Sequence, residues 1–351
     1  MTTIFVLPID ILNLLSDILS LKNALYLISS HRYFKNIRIH NLKSHAIVTN
    51  TLRQDKYQHI SNLNISFNEN INSLSFLSCL TRLDISCYCE YPQSDFNNLS
   101  KLLYLNISDN NTITCVTKMT SLTHLEIKGC VPNISTINNL SNLTILNLDR
   151  NNKIKHIDNL TKLTELHICN SHITQNSINS LINLTYLNIQ ENKYINNIGH
   201  LTALSCLNAS FLTYTVGQHC ISKLSNLTFL NIHGNNDVRN ISQLTLLSWL
   251  DIGGSCNQVG QISINALTNL TYLKIYDNKN IVSVSHLTNL TFLDARKTNI
   301  INQNEISNLV SLTNLNMGNS DVNMLHLTNI QRINGKINFS CGFTTKKKFD
   351  L

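Results

Sequence analysis

A chain of 351 residues could hold two or three ordinary domains, yet with only 3 Pro and 10 Gly it has no Pro- or Gly-rich linker to separate them. Its 42% hydrophobic share is ample for a core. The net charge of +7 sits at the ends: residues 1–59 carry seven basic and three acidic groups, residues 340–351 three and one, and the stretch between seventeen and sixteen. That near-neutral middle excludes the basic stripe of a nucleic-acid groove.

The opening "MTTIFVLPIDILNLL" is apolar, but it has no basic n-region and is broken by Pro8 and Asp10. It does not fit a signal peptide, and no uncharged apolar run reaches membrane-spanning length. With 10 scattered cysteines forming no regular framework, the expectation is a cytoplasmic protein with reduced thiols and no membrane contact. Cys87-x-Cys89 is the one close pair, and without a second pair it predicts no metal site.

Pro8 suits the first position of a helix, after which Ile11, Leu12, Leu15, Ile18 and Leu19 share one face. A second helix is predicted around Ala24, Leu25, Leu27 and Ile28, and a third around Tyr33, Phe34 and Ile37. Leu7-Pro8, Asp10, Ile11-Leu12, Leu25 and Ser30-x-Arg32-x-Phe34 make this stretch resemble the F-box. It departs from that pattern in a shortened middle and in Tyr33-Phe34 where Trp is common. The resemblance implies that Leu7, Pro8, Ile11, Leu12 and Leu15 form an exposed apolar patch that binds the adaptor of an SCF-type ubiquitin ligase. The alternative is a cap: helices that only cover the first coil of a stand-alone interaction solenoid, such as a pathogen or viral effector.

From Ile60 onward the frame L-x-x-L-x-L/I/A/M recurs, beginning at Leu80, Leu102, Leu122, Leu143, Leu163, Leu184, Leu204, Leu227, Leu247, Leu270, Leu290 and Leu312, with a degenerate copy at Ile330. In "LTYLKIYDN" Leu273 and Ile275 alternate with Tyr272, Lys274 and Tyr276, the period-two pattern of a short strand. One strand cannot bury its own leucines, but parallel strands stacked about 4.8 Å apart bury them in one continuous core. The connecting arcs place apolar residues every three positions (Ile154, Ile157, Leu160; Ile281, Val284, Leu287), which predicts extended or 3₁₀ turns in place of long helices. These copies resemble the leucine-rich repeat family, closest in style to short internalin-like units, over about four-fifths of the chain. The resemblance implies an α/β solenoid: a horseshoe of about thirteen coils with a parallel concave sheet, short convex arcs and an N-terminal helical cap. The expected layout is a helical module at 1–45, a solenoid at 46–339 with a lead-in at 46–59, and a basic tail at 340–351.

Eight residues after each opening position stands Asn in every second copy: Asn68, Asn110, Asn151, Asn192, Asn235 and Asn278. The intervening copies hold Tyr88, Cys130, Ser171, Leu212, Ser255 and Thr298, and those copies are longer. The unit is therefore a doublet. In the family this Asn pairs backbone groups that the turn leaves bare, so Cys, Ser and Thr are expected to replace it in part, and Tyr88 and Leu212 to leave the task to the longer arc. The N-x-S/T matches at Asn142, Asn183, Asn226, Asn269 and Asn289 are read as by-products of the repeat.

No catalytic constellation emerges: the 13 His are scattered, and no H-E-x-x-H, G-x-S-x-G or phosphate loop occurs. The chain is expected to be no enzyme and to need no cofactor. Carboxylates such as Asp84, Glu126, Asp251 and Asp294 are predicted on the outward strand face as solubilising or partner groups. Two residues after the opening position, four consecutive copies carry Phe229, Trp249, Tyr272 and Phe292. With His233 and Tyr276 on the same face, these are the candidate contacts for a protein target.

Overall fold

The computed structural model describes residues 41–43, 53, 60–68, 70–71, 73–87, 91–129, 137–212, 216–298, 303–318 and 332–335. The predicted N-terminal helices, with Leu7, Pro8, Ile11, Leu12 and Leu15, and the basic tail lie outside these residues.

The chain divides into two compact units, Met1–Leu166 with Ser171–Ile173, and His167–Asn170 with Thr174–Leu351. In the first, three-residue strands at Asn41–Lys43, Asn62–Asn64, Arg82–Asp84, Tyr104–Asn106, His124–Glu126 and Ile145–Asn147 pair in parallel, each with the next in sequence. In the second, Tyr186–Asn188, Cys206–Asn208, Phe229–Asn231, Trp249–Asp251, Tyr272–Lys274, Phe292–Asp294, Asn314–Gly318 and Arg332–Gly335 do the same. A further strand, Glu165–His167, falls at the division. Each unit is a parallel-sheet solenoid with one strand per coil, as the L-x-x-L-x-L spacing predicts.

The register explains the repeat. Leu63, Leu83, Leu105, Leu125 and Leu146 stand opposite one another in the first unit, and Leu187, Leu207, Leu230, Leu250, Leu273, Leu293 and Leu315 in the second. These central leucines are buried, as are the flanking Leu270 and Ile275 of their coil, so the core is a stack of identical layers. The arcs follow the period-three expectation: Ile281, Val284 and Leu287 are buried. Leu287 N–H donates to Val284 O at 2.9 Å and Leu290 N–H to Leu287 O at 3.0 Å, the three-residue bond of a 3₁₀ turn.

Each strand from Asn62–Asn64 to Phe292–Asp294 leaves its sheet through one residue in the left-handed region, such as Phe67 (φ 61°), Asp109 (φ 56°) or Asp277 (φ 57°), with glycine taking that place at Gly129, Gly234 and Gly254. The doublet Asn comes next and is fully buried at Asn68, Asn110, Asn151, Asn192, Asn235 and Asn278. Asn235 Oδ1 accepts from the N–H groups of Asp237 and Val238 at 2.9 and 3.1 Å, while Nδ2 donates to Val216 O at 3.1 Å. Asn278 Nδ2 reaches Ile252 O and Val259 O at 3.1 and 3.2 Å.

Ser255 was expected to stand in for Asn, and it does not. It is exposed, and Asn257 two residues on is buried in its place, donating to Ile232 O at 2.9 Å and accepting from Val259 N–H at 3.0 Å. The longer arc delays the turn, so the amide arrives later. Ser171 and Thr298 follow the expectation more closely: Ser171 Oγ accepts from Ile173 N–H at 3.4 Å, and Thr298 Oγ1 donates to Ala295 O at 2.6 Å. Asn235→Ala and Asn257→Ala should each cost about 1–3 kcal/mol in chemical denaturation, because buried backbone groups lose their partners. Ser255→Ala should cost little, and a loss equal to the other two would show that the buried amide is not the stabilising group.

The longer arcs carry a device that binary patterning did not reveal. Each of five holds a single helical turn beginning with Gln: Gln93–Phe96 (α1), Gln175–Ile178 (α2), Gln218–Ile221 (α3), Gln261–Asn265 (α4) and Gln303–Ser307 (α5). In α4, Gln261 Oε1 accepts from Val282 and Ser283 N–H at 2.8 and 2.9 Å while its Nε2 donates to Ser283 O at 2.9 Å, all in the next coil. Gln93, Gln175 and Gln218 repeat the three bonds onto Thr114 and Cys115, Asn196 and Asn197, and Arg239 and Asn240. The third residue of the turn reaches back to the preceding coil: Ser263 Oγ accepts from Ile241 N–H at 3.1 Å, and Glu305 Oε2 from Val284 N–H at 2.7 Å. Asp95 takes the corresponding bond from Leu74 N–H. One polar turn thus staples both neighbours of its coil. Gln261→Ala should speed amide exchange at Val282 and Ser283 about tenfold, with little change in the sheet.

The sequons also have a structural role. Nδ2 of Asn142, Asn226, Asn269 and Asn289 donates to Thr120, Thr202, Thr245 and Thr268 O, one coil earlier, at 2.9–3.1 Å.

Candidate functional site

Within each unit, parallel pairing puts position two of successive coils in one column. In the second unit, Phe229, Trp249, Tyr272 and Phe292 are register partners in turn. Their rings lie face to face: Phe229 and Trp249 at 4.0 Å and 15°, Trp249 and Tyr272 at 4.8 Å and 12°, Tyr272 and Phe292 at 4.1 Å and 6°. The sequence places these side chains on the outward face, and there they stand. They are half-buried there, less exposed than an outward position suggests. The reason is that each ring covers the faces of the next, leaving chiefly edges for solvent. Ring edges are the electropositive part of an aromatic side chain.

Beside the rings runs a second column, Asn231, Asp251, Lys274 and Asp294, and beyond it a third, His233, Gly253, Tyr276 and Arg296. In the second column the Asn and Asp oxygens close the strand end: Asn231 Oδ1 accepts from His233 N–H and Asp251 Oδ1 from Gly253 N–H, both at 3.0 Å. The carboxylates are not the solvated groups expected from their outward position. Asp251 and Asp294 are buried, each against a side chain of the third column. His233 Nδ1 lies 3.3 Å from Asp251 Oδ1, and Arg296 grips Asp294 through Nε and Nη2 at 2.9 and 2.7 Å. Gly253 is required there, since a Cβ would come within 2.7 Å of His233 Nδ1.

Lys274 stands apart. Its ammonium sits 5.8 and 5.5 Å from the Trp249 and Tyr272 ring centroids, and no carboxylate pairs with it among the described residues. Tyr276, the other predicted contact, lies under Arg296 (4.9 Å) and Lys297 (5.2 Å). The hydrogen bond with Tyr276 raises the Lys297 pKa above its ordinary value. The importance of Lys274, Gly253 and Arg296 was missed from sequence. The available signal was Lys274 itself, a residue that cannot accept a hydrogen bond at a position where neighbouring coils hold Asn or Asp.

The same face of the first unit is different in kind. The Arg82 guanidinium lies 4.1 Å over the Tyr104 ring, which tilts onto His124 at 4.8 Å. Tyr104 O–H donates to Glu126 Oε1 at 2.9 Å, and Lys128 Nζ reaches Glu126 Oε2 at 2.8 Å. Burial and the bond to Glu126 push the Tyr104 phenol well above its usual pKa. Burial alone would raise the Glu126 carboxyl, but the hydrogen bonds from Lys128 and Tyr104, with the Lys128 and His124 charges, bring it below its usual value. A depressed folded pKa gives stability that is full above the unfolded value of about 4.3 and is lost as pH falls through the folded value. Glu126→Gln should therefore narrow the drop in Tm between pH 7 and pH 3. An unchanged drop would remove Glu126 from the acid response.

Among the described residues no three His, Cys, Asp or Glu side chains converge as a metal site, and no helix is long and apolar enough to cross a membrane. Cys89 lies outside those residues, and no disulfide joins the described cysteines.

Stacked parallel strands, a leucine core and a buried turn Asn define a leucine-rich-repeat type of solenoid. Known structures agree. An internalin, InlF, from Listeria monocytogenes matches with a TM-score of 0.57 at 26% identity, over 69% of this chain and 77% of that one. A leucine-rich repeat protein of Leptospira interrogans matches with 0.56 at 22%, over 79% and 85%. The ectodomain of the plant membrane receptor kinase GASSHO1/SCHENGEN3 from Arabidopsis thaliana matches with 0.53 at 16%, over 80% and 39%. No family model and no curated protein matches the sequence.

Proposed function

We propose that this chain is a protein-binding solenoid, without catalytic activity or cofactor of its own, whose target docks on the Phe229–Trp249–Tyr272–Phe292 ridge. One observation carries the reading: four aromatic rings form a continuous half-exposed row on one sheet face, flanked by His233, Lys274 and Tyr276. Aromatic rows of this kind supply the buried anchors of protein interfaces. The solenoid fold is typical of interaction domains and supports the same reading.

The test is comparative. Proteins recovered on the full-length chain should be lost with Trp249→Ala and retained with Arg82→Ala, which alters the corresponding face of the first unit. Equal recovery by both variants would move the target site away from the ridge.

A second reading is favoured by the succession of Leu7-Pro8, Ile11-Leu12 and Ser30-x-Arg32-x-Phe34 in the sequence. In it the N-terminal segment binds the adaptor of an SCF-type ubiquitin ligase, and the ridge presents the target in the cytoplasm to chemistry performed by other subunits. Adaptor binding by the full chain, abolished by Ile11→Asp, would support this role. Absence of adaptor binding would leave the stand-alone interaction solenoid.

A further inference from the structure

We infer that the ridge selects an acidic protein segment, with an Asp or Glu of the partner seated against Lys274 while its apolar side chains pack on the ring edges. This rests on the ridge being the target site. Charge complementarity is the argument, and it comes from where the neighbouring charges are committed.

Lys274 is flanked in register by Asp251 and Asp294. Neither pairs with it: Asp251 accepts from the Gly253 N–H and lies against His233, and Asp294 is held by the Arg296 fork. The ammonium is left beside the edges of the Trp249–Tyr272 pair, 5.8 and 5.5 Å from their centroids, where the rings do not neutralise it. A half-buried cation next to electropositive ring edges attracts a carboxylate, and partial desolvation strengthens that pair. Lys274 also contributes nothing to the turn. The residues at its position in three neighbouring coils, Asn231, Asp251 and Asp294, each accept the backbone N–H two residues on, and an ammonium cannot.

The stacking geometry argues against other ligand classes. Sugars and nucleobases bind aromatic residues through ring faces, and the inner faces of this row are occupied by one another at 4.0–4.8 Å. Protein side chains pack well against edges, and partner aromatics prefer the edge-to-face contact that the ridge offers.

Trp249 is the sole Trp of the chain, so intrinsic fluorescence reports on the ridge directly. The full-length protein would be titrated with three Trp-free 12-residue peptides, identical in their Phe and Ser positions and carrying Glu, Gln or Lys at the remaining ones, and with a 12-nucleotide oligothymidine. The Glu peptide should shift the emission saturably, with a Kd about tenfold below that of the Gln peptide. The Lys peptide should bind most weakly and the oligothymidine should not saturate. Lys274→Gln should abolish the preference for Glu, and Lys274→Arg should keep it. Equal affinity for the Glu and Gln peptides would overturn the acidic preference and leave the ridge as a target site. Preference for the Lys peptide, or saturable binding of the oligothymidine, would overturn it too. If no peptide alters the emission, the ridge falls as a peptide site altogether.

Discussion

Leu250→Ala should destabilise the second unit by about 3–5 kcal/mol, whereas Leu246→Ala four residues earlier should change stability by less than about 0.5 kcal/mol. Leu250 is fully buried at the middle of its strand, in register with Leu230 on one side and Leu273 on the other. Removing its branched end opens a cavity that identical layers on both sides are too regular to collapse into. Leu246 is 53% exposed. The contrast isolates burial from residue type. In a solenoid the loss is felt by adjacent coils first, because stability is close to a sum of coil and nearest-neighbour terms. Urea unfolding followed by the fluorescence of Trp249, the adjacent residue, measures that local loss. Similar shifts for the two variants would mean that the leucine stack is not the main source of stability in these coils.

The parallel strands and period-three arcs were legible in the sequence because both follow from apolar spacing. Leu273 and Ile275 had to turn inward together, and Ile281, Val284 and Leu287 could not be buried by a long helix. The alternation of Asn was legible as well, but not the compensation for its absence. Nothing about Ser255 says that Asn257 takes over, since that depends on where the longer arc brings the chain back to the sheet. The helical staples were missed for a related reason. Gln93, Gln175, Gln218, Gln261 and Gln303 stand 82, 43, 43 and 42 residues apart, one or two doublets each time, so the signal was present. It is carried by side-chain bonds to the backbone of another coil, to which hydrophobic patterning is blind. At the ridge the sequence specified the column and the residue types. It could not specify that the rings stack, that Asp251 and Asp294 are buried against His233 and Arg296, or that Lys274 is left without a carboxylate partner.

Trp249→Ala is expected to weaken target binding by about 2 kcal/mol or more, the effect of truncating a central aromatic anchor. An outward position by itself would leave thermal stability nearly unchanged, but the stacking does not. Trp249 is sandwiched between Phe229 and Tyr272, and each stacked pair contributes about 0.5–1.5 kcal/mol beyond its buried area. Its removal should also destabilise the unit by about 1–3 kcal/mol. Since one substitution then moves both quantities, the discriminating variant is Trp249→Phe, which keeps a ring in the stack but removes the indole N–H and shortens the outward edge. Stability should return close to that of the native chain, while affinity should recover only in part, because the anchor no longer reaches as far. Calorimetric titration with the identified target and thermal melts of both variants separate the two effects. If Trp249→Phe restores stability and full affinity together, the ridge acts only by ordering the sheet. If Trp249→Ala lowers stability and leaves affinity untouched, the target binds elsewhere, and the four rings serve as a cross-strand brace for coils that have no aromatic side chain in their core.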